Sequence, residues 1–225
     1  MRYWTKSSEN ELFKIVHSDV SSFSPEIHWD DRLKVGWYPI TQEEDYGEDY
    51  FQKYVGYEGS AVEASLNNFR SQFVDMHYRG AVVDIGIGCG TFINRRGRLN
   101  TSGYDVGSKS ISWLKDQDLW TDPYECSSVS AITCWDSLEH IRDYRPLLSK
   151  VSKWAFMSVP IFVDCYHASR SKHFRPEEHW WYFTNDSIVS MMALHGFKLV
   201  SQSSMEQVIG REDINCYAFS RVSNA

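Results

Sequence analysis

No disulfide framework can be read from this sequence. Its five cysteines, Cys89, Cys126, Cys134, Cys165 and Cys216, are odd in number and widely spaced, without a C-x-x-C pair. They are expected to be free thiols in a reducing compartment. A basic surplus is missing as well: 30 acidic against 23 basic residues leave a formal charge of −7. That balance disfavours broad attraction to a nucleic-acid backbone, and only a local basic patch remains for such contact. No run approaches the roughly eighteen apolar residues of a membrane span. The stretch MRYWTKSSENELFK lacks the apolar segment of a signal peptide. A soluble, cytoplasmic protein with no membrane partner is expected. Repeats and low-complexity tracts are also missing.

What is present is an aromatic-rich chain of 225 residues, 42% hydrophobic and 15% aromatic. That length suits one core with an embellishment. Residues 1–48 carry no sustained period and include the acidic cluster Glu43, Glu44 and Asp45; they are expected to form a cap or lid. Residues 49–225 are expected to form the main domain. From Asp49 to Tyr78, Phe51, Tyr54, Val55, Val62, Leu66, Phe69, Phe73 and Met76 recur at helical steps, with Ser60 as a cap and Glu63 three places on.

After Gly80 the pattern alternates. AVVDIGI, SGYDV, VSAITCW and KWAFMSVPI read as strands, the last ended by Pro160. SKSISWLKDQD, capped by Ser108 with Ile111 and Leu114 inward, and DYRPLLSKVS read as helices. Phe162 to Phe183 has no period and reads as a long functional loop. TNDSIVSMMALHG is a helix between Thr184 and Gly196, and FKLVSQSS and INCYAFSRV are closing strands. Such alternation predicts an α/β fold, a doubly wound and mostly parallel sheet covered on both faces.

The stretch VVDIGIGCGTFI, Val82 to Ile93, brings three alternating glycines directly behind a strand. Glycine lets backbone approach a ligand, and the following helix offers unpaired N–H groups. A dinucleotide fingerprint would need a third glycine at position 91, where Thr91 stands, and no G-K-[ST] of a P-loop follows. Asp84, on the strand itself, suits an amino group better than a pyrophosphate. Asp105 closes the next strand, where a carboxylate can accept from ribose hydroxyls. Adenosine with a cationic amino-acid tail fits this pair better than a dinucleotide.

VVDIGIGCGTFI, GYDVGSKSISWL, ITCWDSLEHIRDYRPLL, FMSVPI and EEHWWYFTNDSIVSMMALHGFKLV, taken in order, resemble class I S-adenosylmethionine-dependent methyltransferases, in a branch with an L-E-H-I motif after the fourth strand. The resemblance covers about residues 49–222. It implies a Rossmann-like sheet of about seven strands, the last antiparallel, with S-adenosylmethionine as cofactor. By the resemblance, Asp84, Gly86, Gly88 and Gly90 line the methionine part of the cofactor, Asp105 holds the ribose and Val106 flanks the adenine. Leu119 and Trp120, on a weak third strand, lie near the base, and Trp135 and Asp136 face the cofactor.

The implied activity is methyl transfer to an acceptor, a small molecule in the first instance. The alternatives are a cofactor-binding scaffold that does not methylate, and an enzyme modifying nucleotides or nucleic acid. DSLEH replaces the Asp/Asn-Pro-Pro-aromatic stretch usual in methyltransferases of nucleobase amines, which counts against adenine-N6 or cytosine-N4 methylation and leaves oxygen, carbon and other nitrogen acceptors open. His140, His173 and His179 are candidate bases. Arg170, Lys172 and Arg175 adjoin Trp180, Trp181 and Tyr182, so Arg170, Arg175 and the three rings are candidate substrate contacts; the bland alternative packs these aromatics into the core. His167, His173 and His179, six residues apart, do not form a standard ligand pattern, and no metal site is expected.

Overall fold

The computed structural model describes residues 4–18, 26–40, 52, 55, 56 and 59–222. The acidic cluster 43–45 and the helical positions Phe51 and Tyr54 lie outside the described residues.

Six strands form the main sheet: β3 (Val82–Ile85), β4 (Thr101–Tyr104), β5 (Val129–Trp135), β6 (Val151–Pro160), β8 (Phe197–Ser203) and β9 (Ile214–Arg221). Their order is β4-β3-β5-β6-β9-β8. β4, β3, β5 and β6 run parallel, and β9 is antiparallel to both β6 and β8. The seventh position expected beside β4 is reduced to an isolated parallel bridge between Gly103 and Trp120. All four residues of β3 are buried, as a parallel strand covered on both faces requires.

Helices cover the sheet: α2 (Ala61–His77), α3 (Thr91–Arg96), α4 (Ser108–Asp116), α5 (Arg145–Lys150) and α7 (Asn185–Leu194), with the single turn α8 (Met205–Val208) before β9. Ser60 caps α2 by accepting from the Glu63 N–H, and Thr184 caps α7 with a reciprocal capping box through Ser187. Gly196, past the end of α7, has φ of +80°. At α4 the cap is Gly107 rather than Ser108, and Ser110 and Leu114 face inward while Ile111 is half-buried. On α2 the inward residues are Asn67, Arg70, Phe73 and Val74; Val62 and Met76 are exposed. Two polar side chains thus occupy an inner face that apolar spacing alone had assigned differently.

Two segments expected to lack regular structure possess it. Before the main domain stand α1 (Lys6–Val16), β1 (His28–Asp30) and β2 (Val35–Trp37). Within the expected loop 162–183 lie α6 (Cys165–Arg170), capped by Asp164 on the His167 N–H, and β7 (Trp181–Phe183). β1, β2 and β7 pair antiparallel as a separate small sheet. It is tied to the main sheet by an Ile161–Phe183 bridge after β6 and by the Trp180 N–H donating to the Glu139 carbonyl after β5, at 2.9 Å. Both ties lie at the carboxyl edge of the parallel strands, the edge where open α/β sheets bind ligands. Trp4, Leu12, Phe13, Val16, Leu33, Val35 and Trp37 join one buried cluster with Val83, Ile85 and Ile132.

Candidate active site

The chain leaves β3 through three glycines in the left-handed region: Gly86, Gly88 and Gly90 have φ of +75°, +57° and +83°. A Cβ on Gly86 would stand 2.8 Å from Cβ of Ser137, and one on Gly90 would stand 2.4 Å from the Trp113 ring. Only glycine passes both places without strain. The loop is fastened to its neighbours by the Gly86 N–H on the Tyr104 carbonyl and by the Ser110 hydroxyl on the Gly88 carbonyl, at 2.8 and 2.9 Å.

Asp84, 2% exposed, accepts from the Thr133 hydroxyl at 2.6 Å. Burial pushes its pKa up to about 7 against the opposing Thr133 bond and the Arg70 charge, and the Asp105 carboxylate pushes the same way. Asp105 follows the end of β4 and accepts from the Gly107 N–H at 2.8 Å, so it also caps the turn into α4. Its pKa is raised by burial, with the amides of Gly107, Ile87, Val106 and Gly88 acting against that rise. Two carboxyl groups on adjacent strands, with the Asp105 charge acting on Asp84, make a place for a cationic group. Val106 is exposed, and half-buried Trp120 leans on Tyr104 at 5.3 Å between ring centroids.

At the end of β5 the expected cofactor-facing pair divides. Trp135 is buried against Phe92, under the Arg70 guanidinium at 5.0 Å. Asp136 has φ of +55°, a conformation that costs free energy in a residue other than glycine. Its Oδ2 accepts from Arg70 at 2.7 Å and from Arg211 at 2.8 Å, while its Oδ1 is buried without a partner. Burial opposes ionisation there, but the Arg211 and Arg70 charges win and hold the carboxyl well below its usual range. Arg70 also donates to Glu206 and Ser158, and Arg211 to Glu206.

Beyond Asp136, a 3-10 turn at Leu138–His140 brings His140 to His179: the rings stand 4.6 Å apart at 89°. Both imidazole pKa values are lowered, chiefly by burial. The third candidate base, His173, lies apart, its Nε2 bonded to the Glu212 carbonyl at 2.8 Å.

A family model for the methyltransferase domain matches residues 48–202. The chain belongs to the class I S-adenosylmethionine-dependent methyltransferases. A comparison with curated proteins gives no match. Among solved structures, the methyltransferase resembles magnesium protoporphyrin IX methyltransferase of Synechocystis PCC 6803 with bound S-adenosylhomocysteine: TM-score 0.54 and 12% identity, over 76% of this chain and 94% of that one. It is equally similar to a protein of Thermotoga maritima described as a possible histamine N-methyltransferase, at TM-score 0.54 and 12% identity, over 77% and 97%. A glycopeptide N-methyltransferase complexed with S-adenosylmethionine gives TM-score 0.52 and 12% identity, over 74% and 90%. Identities this low establish the fold alone.

The donor of this methyltransferase is S-adenosylmethionine, and the glycine cradle with Asp84 and Asp105 fits a cationic nucleoside of that kind. No helix among the described residues is long and apolar enough to cross a membrane. The expected substrate face of the methyltransferase is largely internal. Trp181 and Tyr182 are fully buried, Trp181 donating from Nε1 to the Ile141 carbonyl at 2.9 Å and Tyr182 packing with Phe162 and Phe174. Trp180, 9% exposed, carries the Arg142 guanidinium at 4.5 Å. Arg175 pairs with Glu178 at 2.9 Å, Lys172 with Glu212 at 3.3 Å, and Arg170 lies on the Tyr166 ring at 3.5 Å. His167 pairs with Asp213 at 3.3 Å, so the three evenly spaced histidines do not converge. Sequence reasoning missed Arg70, Arg211 and Glu206: the arginines reach Asp136 across 66 and 75 positions and Arg70 reaches Glu206 across 136, so they leave no local pattern.

Proposed function

We propose that the protein moves a methyl group from S-adenosylmethionine to a small-molecule acceptor held at the carboxyl edge of the main sheet, under the β1-β2-β7 sheet. The observation that carries this reading is the glycine cradle flanked by buried Asp84 and half-buried Asp105. Asp84 would take the amino group of the donor, Asp105 the ribose hydroxyls, and the left-handed glycines the backbone-close part between them. The small sheet would close the same edge over the acceptor, excluding water and fixing its line of approach. When bound, the donor supplies a sulfonium-activated methyl group, so alignment contributes more than covalent catalysis.

His140 and His179 stand beside this edge as neutral imidazoles, the form that accepts a proton from an acceptor hydroxyl or amine. Two observations favour a small acceptor over nucleic acid: the net charge of −7, and the engagement of Arg175 and Lys172 by Glu178 and Glu212. The structural relatives named above act, by their descriptions, on a porphyrin, on a glycopeptide and, for the Thermotoga protein, as a possible histamine methyltransferase, which is compatible with compact acceptors.

Calorimetry with S-adenosylmethionine tests the cradle. One site is expected on the wild type, with affinity falling at least about tenfold in Asp84→Ala and in Asp105→Ala, since a lost hydrogen bond to a charged group costs about 1.5–3 kcal/mol. Unchanged affinity in both variants sinks the assignment.

A further inference from the structure

Three side chains around the 3-10 turn present polar atoms with nothing to bond. Oε2 of Glu139, Nδ1 of His140 and Nδ1 of His179 are each buried without a hydrogen-bond partner. Glu139 is 1% exposed and His179 4%. One ligand-type atom from each of the three lies within 4.8 Å of the other two. The backbone holds this arrangement from both sides. The Trp180 N–H donates to the Glu139 carbonyl at 2.9 Å, the His179 N–H to the Arg175 carbonyl at 2.8 Å, and the His140 N–H to the Ser137 carbonyl at 3.2 Å.

A carboxyl oxygen and two imidazole nitrogens buried without bonds are each costly, and in residues whose ligand-type atoms lie this close one ligand can satisfy all three together. Protons would serve only if both rings donated Nδ1–H to Oε2 of Glu139, and no such bond is made, since all three atoms are without a partner. Burial disfavours protonation of both rings, and each imidazole keeps a lone pair at neutral pH. Burial also raises the Glu139 pKa well above its usual value, with the Asp136 charge adding to the rise. The cations that act on Glu139, Arg211 and Arg70, are themselves engaged by Asp136 and Glu206. A divalent cation satisfies the carboxylate and both nitrogens at once.

We propose that Glu139, His140 and His179 bind one divalent first-row transition ion. Two imidazoles and one carboxylate suit zinc, cobalt or manganese, whereas calcium and magnesium take oxygen donors and thiolate would be needed for copper(I). Three protein ligands leave a coordination position for water or an acceptor oxygen. The ion would then orient the acceptor and favour loss of its proton, in place of a histidine base. This role rests on the proposed methyl transfer to an acceptor at this edge; the binding of the ion does not.

The full chain, stripped with chelator and exchanged into metal-free buffer, is titrated with Co²⁺ and with Zn²⁺ by calorimetry and by the visible absorption of bound Co²⁺. One equivalent is expected, with affinity at least about tenfold weaker in Glu139→Gln and in His179→Asn, each first checked for a native circular-dichroism spectrum. Absence of stoichiometric binding to the wild type, or equal binding by folded variants, overturns the proposal. Should the variants not fold, pulsed electron paramagnetic resonance on Mn²⁺ bound to the wild type decides. Coupling to imidazole nitrogen supports the site, and its absence overturns it. Titration of the metal-free protein with S-adenosylmethionine reports on the glycine cradle separately, so failure of one reading is not mistaken for failure of the other.

Discussion

Asp84 carries an electrostatic cost that should be visible without any substrate. Its pKa stands at about 7 in the folded protein, raised chiefly by burial, against about 3.9 in an unfolded chain. Between those values the folded state keeps a proton that the unfolded state has lost, so stability falls as pH rises through that window and levels above about 7. Asp84→Asn escapes this cost while retaining an acceptor for Thr133. The melting-temperature advantage of the variant should therefore be small near pH 4, grow to pH 7, and stay constant beyond, corresponding to at most about 4 kcal/mol. A difference that does not vary with pH contradicts the assignment. The two carboxylates of the proposed cradle, Asp84 and Asp105, could be singled out in advance because one lies on a recognisable strand and the other just past the next. The arginines on Asp136 were not, since Arg70 lies on α2 and Arg211 follows α8, elements whose packing no local spacing encodes.

At the scale of elements, α7 shows how local chemistry and packing agree. Thr184 and Ser187 exchange side-chain and backbone bonds at 2.9 and 3.1 Å, and Ile188, Met191 and Met192 fill the core behind them. Thr184→Ala removes the acceptor for the Ser187 N–H and should cost about 1 kcal/mol, up to ~2, in chemical denaturation at constant m-value. No change would mean that tertiary contacts alone fix this helix start. Caps and periods of this kind made β3, β5, β6, α7, β8 and β9 readable in advance. α6 escaped because six residues bury only Ala168, too little for a helical period. β7 escaped because three consecutive buried aromatics do not alternate; its strand character comes from pairing with β2, a partner some 145 positions away that no window spans. For α1 a signal was available in Thr5 and Ser8 at capping-box spacing and in Leu12, Phe13 and Val16, yet it was outweighed by the polar residues around them.

For the molecule as a whole, the family match begins at residue 48, but the core does not. α1 sends Leu12, Phe13 and Val16 into the same cluster as β3 and β5, and Phe13 packs edge-on against Tyr144 at 5.3 Å and tilted on Trp181 at 5.4 Å. Glu9, 1% exposed, bonds His195 at 2.6 Å just past α7, and Trp4 Nε1 donates to the Leu33 carbonyl at 2.9 Å. β2 in turn is the strand that β7 pairs with in the small sheet, and β1 lies on the other side of β2. The amino-terminal segment is therefore built into the core rather than laid over it. Burying an aliphatic or aromatic side chain contributes about 1.5–3 kcal/mol, so removing Trp4, Leu12, Phe13 and Val16 together forfeits roughly 6–12 kcal/mol, comparable to the whole stability of a typical domain. A chain lacking residues 1–18 should lose its cooperative thermal transition and bind hydrophobic dye. A truncated chain that melts cooperatively within a few degrees of the full one would show that α1 is a detachable lid, and would place the acceptor-closing function in a part that moves.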